Sequence, residues 1–289
     1  MYVDVSCSLC KHRIRRAFGT VGFSKPRRFI SYIFYFKGYM KKIIETHGEM
    51  AEELPMIHTS LCEHLPNILL TDSLNPQQCH VFNESLVYLF YGRPAYRSSR
   101  GTNSGDAPEL CPVCFVFKPR TVSQNIHRVY PCDSGAISNN LFSPEILSAD
   151  LDDLALEPII ESARKVVNLF FEHNSNYFVG KVATGKNFRT GNIEARFYNL
   201  LRQKGPAGYD DRKSAIEVQT NTPVSLTNSL LFVVLPENFL DDDIIRGAII
   251  NTWNCDPITY ATIQGDPPAD YYTVIREKVK ERFEKATRI

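Results

Sequence analysis

The chain of 289 residues has no apolar run long enough to cross a bilayer. Its most apolar N-terminal stretch, Phe29 to Phe36, falls far short of the roughly 20 residues that a spanning helix needs. That stretch follows basic residues but lacks a small-residue cleavage site, so no secretory signal is expected. Cysteine is scarce: eight residues are too few to staple a chain of this length with disulfides. These absences lead us to expect a cytoplasmic protein with reduced thiols and no membrane contact. Glycine-rich phosphate loops are also missing, since neither GxGxxG nor GxxxxGKS/T occurs. Gly185 and Lys186 sit in VATGKNFRTG, which lacks the first glycine of such a loop. Net charge is only +1, so the molecule as a whole is no polycation. Internal repeats and long linkers are absent too. Strands and helices do not alternate regularly, which argues against a doubly wound parallel sheet.

What is present suffices for a packed core under a polar surface: 43% of residues are hydrophobic and 22% charged. The charge is uneven. Residues 1–50 hold ten Lys and Arg against three Asp and Glu. This segment reads as a basic helical N-terminus packed on a main domain at 51–289. It suits either phosphate contacts or an ordinary solvated helical face. Within it, 25–47 is expected to be helical, with Gly48 as the stop.

Strands are expected at Met56–Ser60, Leu86–Tyr91, Val113–Phe117, Ala215–Gln219 and Leu230–Leu235. Leu61 to Leu70 reads as a helix capped by Ser60, with Glu63 completing a capping box. Further helices are expected at 155–173, 191–203 and from Asp241 to Ile249. Tyr271, Ile275, Val279 and Phe283 mark a final amphipathic helix. Residues 97–109 are Gly- and Ser-rich and read as a mobile loop. Residues 131–153 read as loop, with Asp150, Asp152 and Asp153 starting a helix. The fold class is therefore α+β.

Two CxxC pairs, Cys7/Cys10 and Cys111/Cys114, invite a zinc reading. They lie about a hundred residues apart, and Cys111–Cys114 enters a strand where alternate residues face opposite sides. We expect no shared metal. Asp133-Ser134-Gly135 and the acidic 150–157 segment offer carboxylates, without the spacing of a metal-dependent hydrolase.

A second constellation sits on strands: His58-Thr59-Ser60, the segment YLFYGRPAYR from Tyr88 to Arg97, and Glu217 in AIEVQ. The stretch HTSLCEHLPNIL resembles the opening motif of the DarT-type ADP-ribosyltransferases, with His58, Ser60 and His64 at its key positions. The later FYGRP resembles that family's aromatic strand followed by a key arginine, here Arg93. The late IEV resembles its catalytic-glutamate strand. Two positions depart from the pattern: His64 stands where Asn is usual, and Asp72-Ser73 where a Gly is expected.

The resemblance implies a split, mostly antiparallel sheet of the ADP-ribosyltransferase type with flanking helices. It implies NAD as substrate, with Glu217 and Arg93 catalytic and His58, Ser60, His64, Tyr88 and Tyr91 binding the dinucleotide. Breaking the nicotinamide–ribose bond develops positive charge on the ribose, as in glycoside hydrolysis. A carboxylate at Glu217 meets that charge, and Arg93 would fork onto the pyrophosphate. Tyr88 and Tyr91 fall on opposite faces of one strand, so at most one lines the same pocket. The implied function is transfer of ADP-ribose to a macromolecule by a toxin or defence effector, with nucleic acid favoured over protein as acceptor and an antitoxin or immunity protein as a partner. The alternatives are an NAD glycohydrolase, or an inactive module of the same fold that binds nucleic acid or a partner. The residues themselves carry blander readings too: a structural histidine at His58, a turn arginine at Arg93, and a solvated glutamate between Ile216 and Val218.

Overall fold

The computed structural model describes residues 39–95, 107–203 and 211–286. The CxxC pair at Cys7/Cys10, most of the 25–47 helix and the 97–106 part of the expected loop lie outside them. The helices are α1 (Tyr39–Thr46), α2 (Leu65–Thr71), α3 (Ser134–Ser138), α4 (Leu151–Leu154), α5 (Ile160–Phe171), α6 (Asn174–Phe178), α7 (Ile193–Arg202), α8 (Asp243–Gly247) and α9 (Tyr271–Ala286). The strands are β1 (Met56–Leu61), β2 (Ser73–Leu74), β3 (Gln77–Cys79), β4 (Glu84–Tyr91), β5 (Pro112–Phe117), β6 (Arg128–Tyr130), β7 (Glu217–Thr220), β8 (Val224–Ser225), β9 (Leu230–Pro236) and β10 (Asp256–Tyr260). No helix among the described residues is long and apolar enough to cross a membrane.

The main sheet runs β10-β9-β5-β1-β4-β7-β6, with β3 added to β4; β2 and β8 pair separately. Every pair in it is antiparallel except β10 on β9. The chain is thus mixed α/β with a mostly antiparallel sheet and flanking helices. β1 and β4 pair at Met56/Tyr91 and Ile57/Phe90 and part beyond these. On its other edge β1 stays paired to β5 through Leu61.

Both faces of the sheet are covered, which explains why its central strands read as continuous apolar runs. On one face, Tyr271, Ile275 and Val279 of α9 pack on Ile57, Cys114, Val116, Phe232 and Val234. This is the four-residue repeat visible in the sequence. On the other face lie Met56, Leu89, Tyr91, Phe115 and Val218, beneath α5 residues such as Val166, Val167 and Phe170. Met40 and Ile44 of α1 are buried in that same core.

Two local expectations change. Ser60 stays in β1, and the helix begins only at Leu65 after a tight turn over Cys62–His64; Ser60 caps nothing. The strand prevails because Ser60 and Leu61 are held in register with Val113 and Pro112. The 131–153 region contains α3 and α4 as well as loop. Asp133 caps α3, its Oδ1 accepting from Ala136 N at 2.6 Å.

Candidate functional site

Glu217 opens β7, opposite Phe90 of β4 and Tyr130 of β6. Directly opposed residues project from the same face of a sheet. Glu217 therefore shares a face with Phe90, Tyr130 and Ile57. Gln219, two residues on, and its partners Tyr88 and Arg128 project from that face as well.

The Glu217 side chain is not solvated; it is 1% exposed. Three donors converge on it. Ser134 N–H reaches Oε2 at 3.0 Å, while the Ser134 hydroxyl and Gln219 Nε2 reach Oε1, each at 2.6 Å. Burial and the neighbouring Asp133 carboxylate push its pKa up to about 8, against the three hydrogen bonds, which favour the ionised form. The outcome is a fixed carboxyl whose burial holds a proton more tightly than an ordinary glutamate does, as suits a group that exchanges protons.

Tyr88 is half-buried on the same face; burial, then the Cys79 contact, then the Glu217 charge raise the pKa of its phenol. Its hydroxyl lies 2.6 Å from Cys79 Sγ. Tyr91 projects from the opposite face, as the alternation requires. It is a core residue: its hydroxyl accepts from Leu54 N at 2.9 Å, and its ring packs against Tyr177.

His58 lies where β1 and β4 part. Its Nδ1 sits 2.8 Å from the Tyr88 carbonyl. A carbonyl only accepts, so Nδ1 carries the proton and Nε2 presents a lone pair. Burial lowers the imidazole pKa, which keeps the ring neutral. By register His58 belongs to the face opposite Glu217, beside Phe115, whose ring centroid is 6.3 Å away. Ser60 projects from that face too and is buried. His64 is exposed beyond the end of β1, 3.7 Å from Glu63.

Arg93 is fully buried in an ion pair. Its Nη2 donates to Asp211 Oδ2 at 3.0 Å, and its Nη1 donates to the Tyr177 carbonyl and the Ser214 hydroxyl at 3.1 and 3.0 Å. Arg276 approaches the same Asp211 oxygen at 3.7 Å.

The structure therefore brings Tyr88 to Glu217 but does not gather His58, Arg93 and Glu217 into one cleft. The reasons are the one-residue alternation of β1 and the pull of Asp211 on Arg93. Tyr88 is the link between the two strand-borne groups, since its carbonyl holds His58 and its ring lies on the Glu217 face. Ser134 and Gln219 are the site residues that the motif reading passed over. Their only sequence signals are the Asp-Ser-Gly cap and the polar residue at i+2 from Glu217.

One departure from the family pattern has a backbone explanation. Asp72, where a Gly is expected, ends α2 in the left-handed region at φ 47°. Asp tolerates that region better than most residues. Its Oδ1 also accepts from Trp253 Nε1 at 2.8 Å, so the side chain serves the core.

Among the described residues no group of three His, Cys, Asp or Glu is placed to hold a metal. Burial pushes the Cys111 and Cys114 thiols up to about 11 and about 12. A cavity of about 290 Å³, lined by Pro108, Cys111, Ile263 and Tyr271 among others, is separate from the Glu217 group. Comparison of the chain with known protein families and with curated proteins finds no match to either.

Proposed function

We propose that the protein is an NAD-dependent ADP-ribosyltransferase in which Glu217 is the working carboxylate. The observation that carries this reading is the Glu217 carboxyl itself, buried and gripped by Ser134 and Gln219. In its ionised form such a group stabilises the positive ribose as the bond from C1′ to nicotinamide breaks. Nicotinamide leaves with the bonding electron pair, the acceptor nucleophile bonds to C1′, and the acceptor's proton passes to Glu217.

In this reading Tyr88, on the Glu217 face, flanks the nicotinamide. His58, on the face opposite Glu217, stays outside the dinucleotide site in this reading, and its ring holds the Tyr88 carbonyl. Arg93 has a different part in this reading from the one the motif implies. Its guanidinium is committed to Asp211 and shapes the end of β4 without touching pyrophosphate.

The acceptor is a macromolecule, with nucleic acid favoured over protein, as befits a toxin or defence effector held in check by an antitoxin or immunity partner. The test is nicotinamide release from NAD with DNA, RNA or lysate protein present, together with the mass gained by the acceptor. Release that needs an acceptor supports transfer. Release with water alone makes the protein a glycohydrolase.

A second reading rests on the same carboxyl. Glu217 is 1% exposed with both oxygens bonded, as in an inactive fold that only binds. Nucleic-acid binding without NAD turnover under any condition would select it.

A further inference from the structure

Gln219 is completely buried, yet both ends of its amide are engaged. Its Oε1 lies 3.4 Å from Arg128 Nη1, and its Nε2 lies 2.6 Å from Glu217 Oε1 and 3.3 Å from Ser134 Oγ. A guanidinium has donors and no acceptor, so the amide atom facing Arg128 must be the oxygen. The nitrogen is then obliged to face Glu217.

Arg128 is itself fixed. It forms an ion pair with Glu84 and lies over the Phe82 ring at 4.5 Å. Glu84 also takes His127 Nε2 at 3.1 Å. A continuous polar chain thus runs from a half-buried surface cluster to the buried carboxyl.

We propose that Gln219 is a positioning residue for Glu217: Arg128 orients its amide, and the amide in turn supplies Glu217 with a donor and fixes the direction of the carboxyl. The activity consequence rests on Glu217 being the working carboxylate; the positioning itself does not. Around Glu217 the other titratable groups are Asp133, Tyr88, Tyr130 and Cys132, with Arg128 and Glu84 beyond Gln219. Apart from Arg128, these are acids or weak acids, so the donors from Gln219 and Ser134 are the local influences that favour the carboxylate.

The test is the titration of the Glu217 carboxyl by carbon-13 NMR on glutamate-labelled full-length protein. The signal is assigned by its disappearance in Glu217→Gln. In Gln219→Leu the donor is gone, and the Glu217 pKa rises by about one pH unit, a tenfold gain in proton affinity. Gln219→Met fills the same space with a flexible chain and gives the same rise where Leu packs badly. Arg128→Met leaves the amide in place but unpinned and gives a smaller rise, while Arg128→Lys keeps the wild-type titration. The NAD-consumption profile of each variant moves along the pH axis with its Glu217. If the titration moves while no form of the protein turns over NAD, the positioning stands and the NAD reading falls. If Glu217 titrates in Gln219→Leu and Gln219→Met as in the wild type, the proposal is overturned.

Discussion

Ser134 grips Glu217 twice, through its backbone amide at 3.0 Å and through its hydroxyl at 2.6 Å, from a position 83 residues away in the chain. This contact turns a glutamate on an alternating strand into a fixed, buried group. Removing the hydroxyl in Ser134→Ala leaves the amide contact and deletes one donor. We expect a loss of about 1–2 kcal/mol of stability in urea unfolding. The Glu217 pKa should also rise, because a donor that favours the carboxylate is lost. An unchanged pKa would mean that the hydroxyl does not act on the acid.

Glu217 also sets a pH dependence. Its folded-state value of about 8 lies above the 4.5 of an ordinary glutamate. Between these values the native state keeps a proton that the unfolded chain has released. Stability from this group is thus fully present below pH 4.5 and is lost as pH rises through about 8. The urea midpoint of the wild type should fall across that window, and Glu217→Gln should show a flatter profile. Identical slopes would remove Glu217 from the titration. Activity should run the other way: if the carboxylate is the working form, turnover rises about tenfold per pH unit below its pKa and levels off above it.

Arg93 and Asp211 form a buried pair whose side chains are 1% and 3% exposed. Losing Arg93 leaves the buried Asp211 with the more distant Arg276, at 3.7 Å, as a nearby cation, so the cost is at most about 3–5 kcal/mol, that of a fully orphaned buried charge. Arg93→Leu should therefore lower the unfolding midpoint sharply. A pyrophosphate-binding arginine would show the opposite signature, an intact fold with a raised KM for NAD. The two outcomes separate a scaffold role from a binding role.

Gly92 ends β4 with φ 69°, and a Cβ built on it would lie 2.3 Å from Leu54 Cδ1. Gly92→Ala therefore meets both backbone strain and a clash, and should cost about 1–3 kcal/mol in thermal or urea unfolding. A neutral result would show that the 92–95 turn relaxes freely.

The five strands β1, β4, β5, β7 and β9 were legible in the sequence because their apolar runs are largely buried, and α9 because its apolar residues recur every four positions. What the sequence hid is pairing over long separations. Glu217 between Ile216 and Val218 looks like a solvated position; its cover is Ser134, in a segment read as loop. Arg93 beside Pro94 looks free for a ligand; its partner Asp211 comes 118 residues later. The parting of β1 and β4 at His58 leaves no local mark in the sequence. Strands β2, β3, β6, β8 and β10 escaped the reading; in β10, Asp256, Pro257 and Thr259 break the apolar pattern, and parallel pairing to β9 holds it as an edge strand.

The most direct test of the account is NAD turnover by Glu217→Gln beside the wild type, with the effective acceptor present. The substitution keeps the shape of the side chain. With Gln219 held by Arg128, a glutamine at 217 keeps its oxygen toward the Ser134 hydroxyl and Gln219 Nε2 and gives up the bond from Ser134 N–H. The fold should hold, while the charge that meets the ribosyl cation is gone. We expect turnover to fall about a hundred- to a thousand-fold, with the unfolding transition retained. Equal turnover by the two proteins would contradict the assignment of Glu217 as the working carboxylate.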